Sequence, residues 1–220
     1  MSNYLAIATV TRALSDVVRA SVPPNIGGSN LVATQRPTVP SDDAPHIYLY
    51  LYQVSYNAAL RNADLPTRNA QGNLVGRPQV ALDLHYLLAF YGDEGKLVPQ
   101  RMLGAVVRDL HSRPVLLRNE IIAASNNLVD DLSPPDPTRS NLEASFEQIK
   151  IAPLPLTLEE LSKLWYVFLQ TPYALSVVYQ ASVVLIDADE NVPRSKPVLR
   201  RGETDRGVDT SVGPAPFLES

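Results

Sequence analysis

The 220-residue sequence contains no cysteine. This absence excludes disulfide scaffolds, thiolate metal sites and cysteine nucleophiles. The sequence also lacks an apolar run near the roughly 18 residues that a membrane span requires, and it has no basic and apolar leader at its start. We therefore expect a soluble, cytoplasmic protein with no direct membrane insertion.

An excess of positive charge is also missing. The chain carries 19 Lys and Arg against 23 Asp and Glu, which gives a formal net charge of −4, and its isoelectric point is about 5.4. Nucleic-acid binding depends on basic surfaces that release counterions from phosphates. The composition therefore predicts no nucleic-acid partner.

What the sequence does contain is 45% hydrophobic residues, arranged in the periods of helices and strands. One strand signal lies at 46–56, where apolar and aromatic positions alternate. One face of this strand is aliphatic and the other consists of tyrosines: Ile47, Leu49 and Leu51 against Tyr48, Tyr50 and Tyr52. Both faces are expected to be covered by other parts of the protein.

The same patterns predict the remaining elements. Strands are expected at 31–33, 80–90, 145–151 and 175–186, and helices at 3–21, 98–112, 115–124 and after Thr157. Thr157 and Glu160 have capping-box spacing, and the helix that they open is expected to carry Leu158, Leu161, Trp165 and Phe168 on one face.

This order predicts an α+β fold, a mainly antiparallel sheet with helices packed on one face. We expect one domain over 1–187, followed by an extended C-terminal arm or linker at 188–220, where polar, charged and Pro/Gly-containing sequence replaces the apolar periods.

The sequence gives little support for a catalytic or metal-binding site. Asp83 and His85 lie two apart on one predicted strand and share a face, so a small-ligand or metal-binding enzyme that uses them with His111 is an open alternative, which metal content after purification would test. The acidic run at 187–191 begins like a calcium loop but lacks the glycine and the distal glutamate. We predict no catalytic residue, no cofactor and no metal ligand.

Two segments are instead candidates for contact with other proteins. The tyrosine strand could stack on RNA bases, but it has no interleaved basic residue, so packing against helices or a neighbouring subunit is favoured. The arm contains a basic, acid-free segment that could dock on an acidic surface. The predicted partner interface consists of Tyr48, Tyr50, Tyr52, Arg194, Lys196, Val198, Leu199, Arg200 and Arg201.

Several longer strings point to a family. They are LYQVSYN at 51–57, ALDLHYLL at 81–88, LEELSKLW at 158–165, TPY at 171–173 and VVLID at 183–187. Their conjunction, in this order, resembles the N-terminal domain of the cap, or tail-terminator, protein of extracellular contractile injection systems. The resemblance extends over about residues 3–187.

The resemblance implies a structural protein and not an enzyme. It implies a homo-hexameric ring at the end of a phage tail-like particle distal to the baseplate, where the ring stops polymerisation of the inner tube and outer sheath and so contributes to length control. The implied partners are other copies of the chain and the tube and sheath proteins. Such a protein would be cytoplasmic during assembly and then part of the particle, which could be released. Another tube or sheath adaptor of the same machine is the alternative.

Overall fold

The structure is a computed structural model that describes residues 3–27, 31–41, 43–60, 79–131, 139–144, 148–169 and 171–187. Within these residues the helices are α1 (Ala6–Ser21), α2 (Val98–Ser112), α3 (Arg118–Asp131) and α4 (Leu158–Tyr166), with a short 3₁₀ helix at Leu142–Ala144. The strands are β1 (Val32–Ala33), β2 (His46–Tyr56), β3 (Gln79–Tyr91), β4 (Lys150–Pro153) and β5 (Ser176–Asp187).

The five strands form one sheet in the order β1-β2-β3-β5-β4. Only β1 runs parallel to its neighbour, β2, while the other three pairs are antiparallel. The predicted α+β fold with a mainly antiparallel sheet is thereby confirmed. Two register shifts, at Leu51/Gln53 in β2 and opposite Leu82/Leu84 in β3, interrupt the ladders of the long strands.

One face of the sheet packs against α1, α2 and α3. The apolar stripe of α1 is fully buried at Val10, Leu14 and Val18, and it meets β3 side chains that point to this face, such as Tyr86 and Leu88. The Tyr86 hydroxyl is deeply buried and lies 2.8 Å from the Thr11 hydroxyl. Burial raises the pKa of Tyr86 well above its ordinary value, so the phenol stays neutral and hydrogen-bonded inside the core.

The second face of the sheet packs against α4, so the helices are not confined to one side. Leu87 and Ala89 of β3 point to this face and pack in a cluster with Tyr48, Trp165 and Val178. The central strand is therefore buried on both faces, and Tyr86 to Phe90 are all shielded from solvent. A strand buried on both faces carries apolar residues at successive positions.

Helix α3 begins later than predicted. The expectation was a helix over 115–124, but Val115 forms a β-bridge with Lys150. The Leu116 N–H donates to the Ile149 carbonyl oxygen at 3.0 Å, and the Ile151 N–H donates to the Pro114 carbonyl oxygen at 2.7 Å. These bonds hold 114–116 extended along β4, so the helix can begin only beyond them.

Strand β4 is also shifted from its predicted place. The sequence pattern placed a strand at 145–151, whereas the pairing with β5 begins at Lys150 and continues to Pro153. Residues 148 and 149 precede the strand, and 145–147 lie outside the described residues.

The connection from β3 to α2 requires a glycine at one position. Gly92 has φ of +152°, and a Cβ atom built there would lie 2.8 Å from the Val98 Cγ1. Both the backbone conformation and the close approach of Val98 therefore exclude larger residues.

A charged contact joins the ends of α1 and α2. The Ser21 hydroxyl donates to an Asp109 carboxylate oxygen at 2.8 Å, and the Arg113 guanidinium pairs with the same oxygen. The hydrogen bond from Arg113, aided by that from Ser21, lowers the pKa of Asp109 below its ordinary value. The charged form of Asp109 is thus favoured in the folded state.

Substitution Asp109→Asn should lower stability at neutral pH and flatten its pH dependence in acid. Because the folded-state pKa lies below the unfolded value, the stabilisation is present above the unfolded pKa and is lost as pH falls through the folded pKa. Urea unfolding at several pH values between 3 and 7 measures this. The control Glu94→Gln changes an exposed carboxylate and should keep the wild-type profile. Parallel profiles for wild type and Asp109→Asn would contradict the assignment.

Candidate assembly surface

Helix α4 and the turn after it carry several exposed apolar side chains. The helix begins with the predicted capping box: the Glu160 N–H donates to the Thr157 hydroxyl at 3.3 Å, and the Thr157 N–H donates to the Glu160 carboxylate at 2.8 Å. The hydrogen bonds that the Thr157 N–H and the Thr157 hydroxyl donate to the Glu160 carboxylate lower the pKa of Glu160. The first turn is thus fixed by local sequence alone.

Trp165 anchors α4 to the sheet. Its side chain is buried, and its indole N–H donates to the Ser176 hydroxyl at 3.1 Å. The ring makes edge contacts with Phe168 and Tyr173, at centroid separations of 5.5 and 5.4 Å. Phe168 also contacts Tyr50 of β2 at 5.6 Å. This aromatic cluster fixes the orientation of the turn that follows α4.

The three tyrosines of the predicted interface occupy different environments on the same face. Tyr48 is only 5% exposed, and its hydroxyl accepts a bond from Thr38 at 3.0 Å. Tyr50 and Tyr52 are half-buried. Burial, and then the nearby Glu160, raises the pKa of Tyr52. Helix α4 covers much of the face that a stacked RNA base would need.

The remaining predicted interface residues belong to the arm. Arg194, Lys196, Val198, Leu199, Arg200 and Arg201 all lie outside the described residues.

The candidate metal or catalytic residues are not brought together. Asp83 accepts two bonds from the Asn57 amide, at 3.0 and 3.2 Å, and His85 lies 3.0 Å from the Ser55 hydroxyl. Desolvation lowers the pKa of His85, against the opposing effect of Asp83. Helix α2, which carries His111, packs on the opposite face of the sheet. The described residues contain no cluster of three His, Asp or Glu side chains that could hold a metal ion.

The sequence patterns missed the outward-facing apolar residues of this region. Helix α4 ends at Tyr166, and Tyr166, Val167, Leu169 and Tyr173 are exposed. Leu158, the first residue of the predicted apolar face, is also exposed, because this face meets the sheet only from Leu161 onward. The run Trp165–Leu169 is apolar at every position, and such a run exceeds what a one-sided helix can bury. This run of apolar residues was the sequence feature that could have indicated an exposed apolar surface.

Comparison with known proteins identifies the fold. The profile of the Pvc16 N-terminal domain family matches residues 9–200, which is most of the chain. The chain belongs to the Pvc16 N-terminal domain family. The resemblance seen in the sequence strings is thereby confirmed. A search of curated protein sequences finds no match.

Two solved structures share the fold of this chain. One is described as an extracellular contractile injection system, PVC sheath/tube terminator in extended state, with a TM-score of 0.59, 16% identity, and coverage of 93% of this chain and 64% of that chain. The other is the anti-feeding prophage cap, a tube terminating cap, with a TM-score of 0.55, 18% identity, and coverage of 89% and 60%. The chain therefore spans less than two thirds of either relative.

No helix within the described ranges is both long and apolar enough to cross a membrane.

Substitution Thr157→Ala should destabilise the protein by about 1 kcal/mol, because it leaves the backbone N–H of Glu160 without its capping acceptor. Urea unfolding and hydrogen exchange of the α4 amides measure the effect. The control Ser162→Ala removes an exposed hydroxyl that bonds only the preceding turn at Leu158, and it should change stability by less than about 0.5 kcal/mol. Equal losses for both variants would show that the capping box is not the source.

Proposed function

We propose that this chain is a structural cap, or tail terminator, of a contractile injection system. It ends polymerisation of the inner tube and outer sheath at the end of the particle distal to the baseplate. The observation that carries the proposal is the family match over residues 9–200, together with the fold shared with a sheath/tube terminator and a tube terminating cap.

The geometry of the described residues supports a role in assembly. Helices pack on both faces of the sheet, so the described residues offer contact surfaces on helices and turns. Exposed aromatic and aliphatic side chains after α4 provide such a surface. In this proposal the chain forms a homo-hexameric ring, binds tube and sheath proteins, takes part in no catalysis, assembles in the cytoplasm and then becomes part of the particle.

Particles made without this protein provide the direct test. We expect tubes and sheaths of widely varying length, and complementation with the wild-type gene should restore a narrow length distribution. A tagged copy, located by electron microscopy, should lie at the end opposite the baseplate. Normal particles in its absence would contradict the proposal. A tag at the baseplate end would instead favour a tube or sheath adaptor.

The C-terminal arm extends the proposal. We infer that its basic segment, which includes Arg194, Lys196, Arg200 and Arg201, adds an extended strand to an exposed sheet edge of the sheath. The support is the change to polar and charged composition after Asp187. Val198 and Leu199 would supply the apolar contacts within this otherwise basic segment.

Deletion of 191–220 should therefore impair capping and broaden the particle length distribution, while leaving the 1–187 domain folded. Particle lengths by electron microscopy and thermal unfolding of the purified protein measure the two effects. The matched control removes only 212–220 and keeps the basic segment, so it should cap normally. Length-controlled particles from the longer deletion would eliminate a role for the arm.

A further inference from the structure

Leu169 combines two features that each raise the free energy of the folded chain. Its φ angle is +44°, in the left-handed region where Cβ crowds the backbone and where glycine or asparagine is usual after a helix. Its side chain is 80% exposed, the highest value among the large apolar residues described. A strained conformation at an exposed apolar residue indicates a role outside the fold itself.

Three neighbours in sequence share this exposure. Tyr166, Val167 and Tyr173 are each more than half exposed, and with Leu169 they form a surface that we name the α4 patch. The four side chains expose on the order of 500 Å², comparable to the largest apolar patch of a typical monomer. A stable interface buries about 800 Å² of each partner, so the patch supplies more than half of one side.

The patch is held in place by the core beneath it. The rings of Tyr173 and Trp165 are in edge contact, with their centroids 5.4 Å apart. Trp165 is buried and donates a hydrogen bond to the Ser176 hydroxyl. The Leu169 N–H donates to the Tyr166 backbone carbonyl oxygen at 3.2 Å. A surface that is ordered before binding loses little conformational entropy on association.

Charge favours a particular occupant. The patch contains no charged residue, and on the adjacent helix Lys163 pairs with Glu159 at 2.7 Å. The Glu160 carboxylate is bonded to Thr157 at the far end of α4. A charged partner would be attracted by unpaired charges of the opposite sign. The three charged side chains of α4 are instead engaged with one another or with Thr157. Two copies of a chain with net charge −4 repel least where they meet through a neutral surface.

We propose that the α4 patch, centred on Leu169, is a docking surface for a second copy of this chain. The contact is heterologous: the patch of one copy meets a different surface of the next, as a closed ring requires. The inference deepens the proposed function and rests on it in one respect, because a terminator built from several copies needs a contact between them.

The test compares two leucines that share the same backbone conformation. Leu97 also has a positive φ, of +56°, and an exposed side chain, but it precedes α2. Leu169→Asn and Leu97→Asn each replace an exposed leucine with a residue that tolerates the left-handed region, so neither should lower the melting temperature. Tyr166→Gln is a second variant within the patch.

Sedimentation of the full chain at up to roughly 100 μM, where contacts of micromolar affinity are populated, measures self-association. We expect the wild type to associate, Leu169→Asn and Tyr166→Gln to weaken the association by about tenfold or more, and Leu97→Asn to match the wild type. A monomeric wild type, or equal effects of the two asparagine variants, would overturn the proposal.

Binding to purified tube and sheath proteins separates this proposal from the terminator function. If Leu169→Asn abolishes that binding but leaves self-association intact, the patch serves a different occupant and the proposal is wrong. If particles lacking the protein are normal while Leu169→Asn still abolishes self-association, the terminator function is wrong and the docking surface stands.

Discussion

Burial of β3 on both of its faces is the constraint on which the rest of the described structure depends. Tyr86, Leu88 and Phe90 project into the core beneath α1, α2 and α3, while Leu87 and Ala89 project towards α4. A strand with two apolar faces must be central in its sheet and covered on each side. Its neighbours β2 and β5 and the two layers of helices follow from that requirement.

The two layers differ in how completely they bury their apolar residues. The layer of α1, α2 and α3 forms a large core in which the Tyr86 hydroxyl is paired with Thr11. The layer of α4 has one short helix, anchored by Trp165 and fixed at its start by Thr157 and Glu160. This nine-residue helix covers only part of the sheet, and Val167, Leu169 and Tyr173 after it turn outward. The smaller layer therefore leaves apolar surface available for association.

Several elements were predictable because their causes are local. The alternation of residues 46–56 gave the observed bounds of β2, and the period of 98–112 gave those of α2. The capping box at Thr157 was found as predicted. The start of α3 was not predictable, because hydrogen bonds to Ile149 and Ile151, more than thirty residues away, keep 114–116 extended. The exposure of Leu158 likewise depends on where the sheet ends beneath α4.

The sequence by itself determined the absence of thiol chemistry, the acidic charge, the periods of most helices and strands, and the strings that indicate the family. Each of these depends on residues close together in the chain. Only the tertiary structure decided that Tyr48 is the enclosed tyrosine of the predicted interface. It also decided that Asp83 and His85 lie across the sheet from α2, and that Leu169 projects outward in a strained conformation. Those outcomes depend on strand order and on which face each helix covers, and both are set by contacts between distant segments.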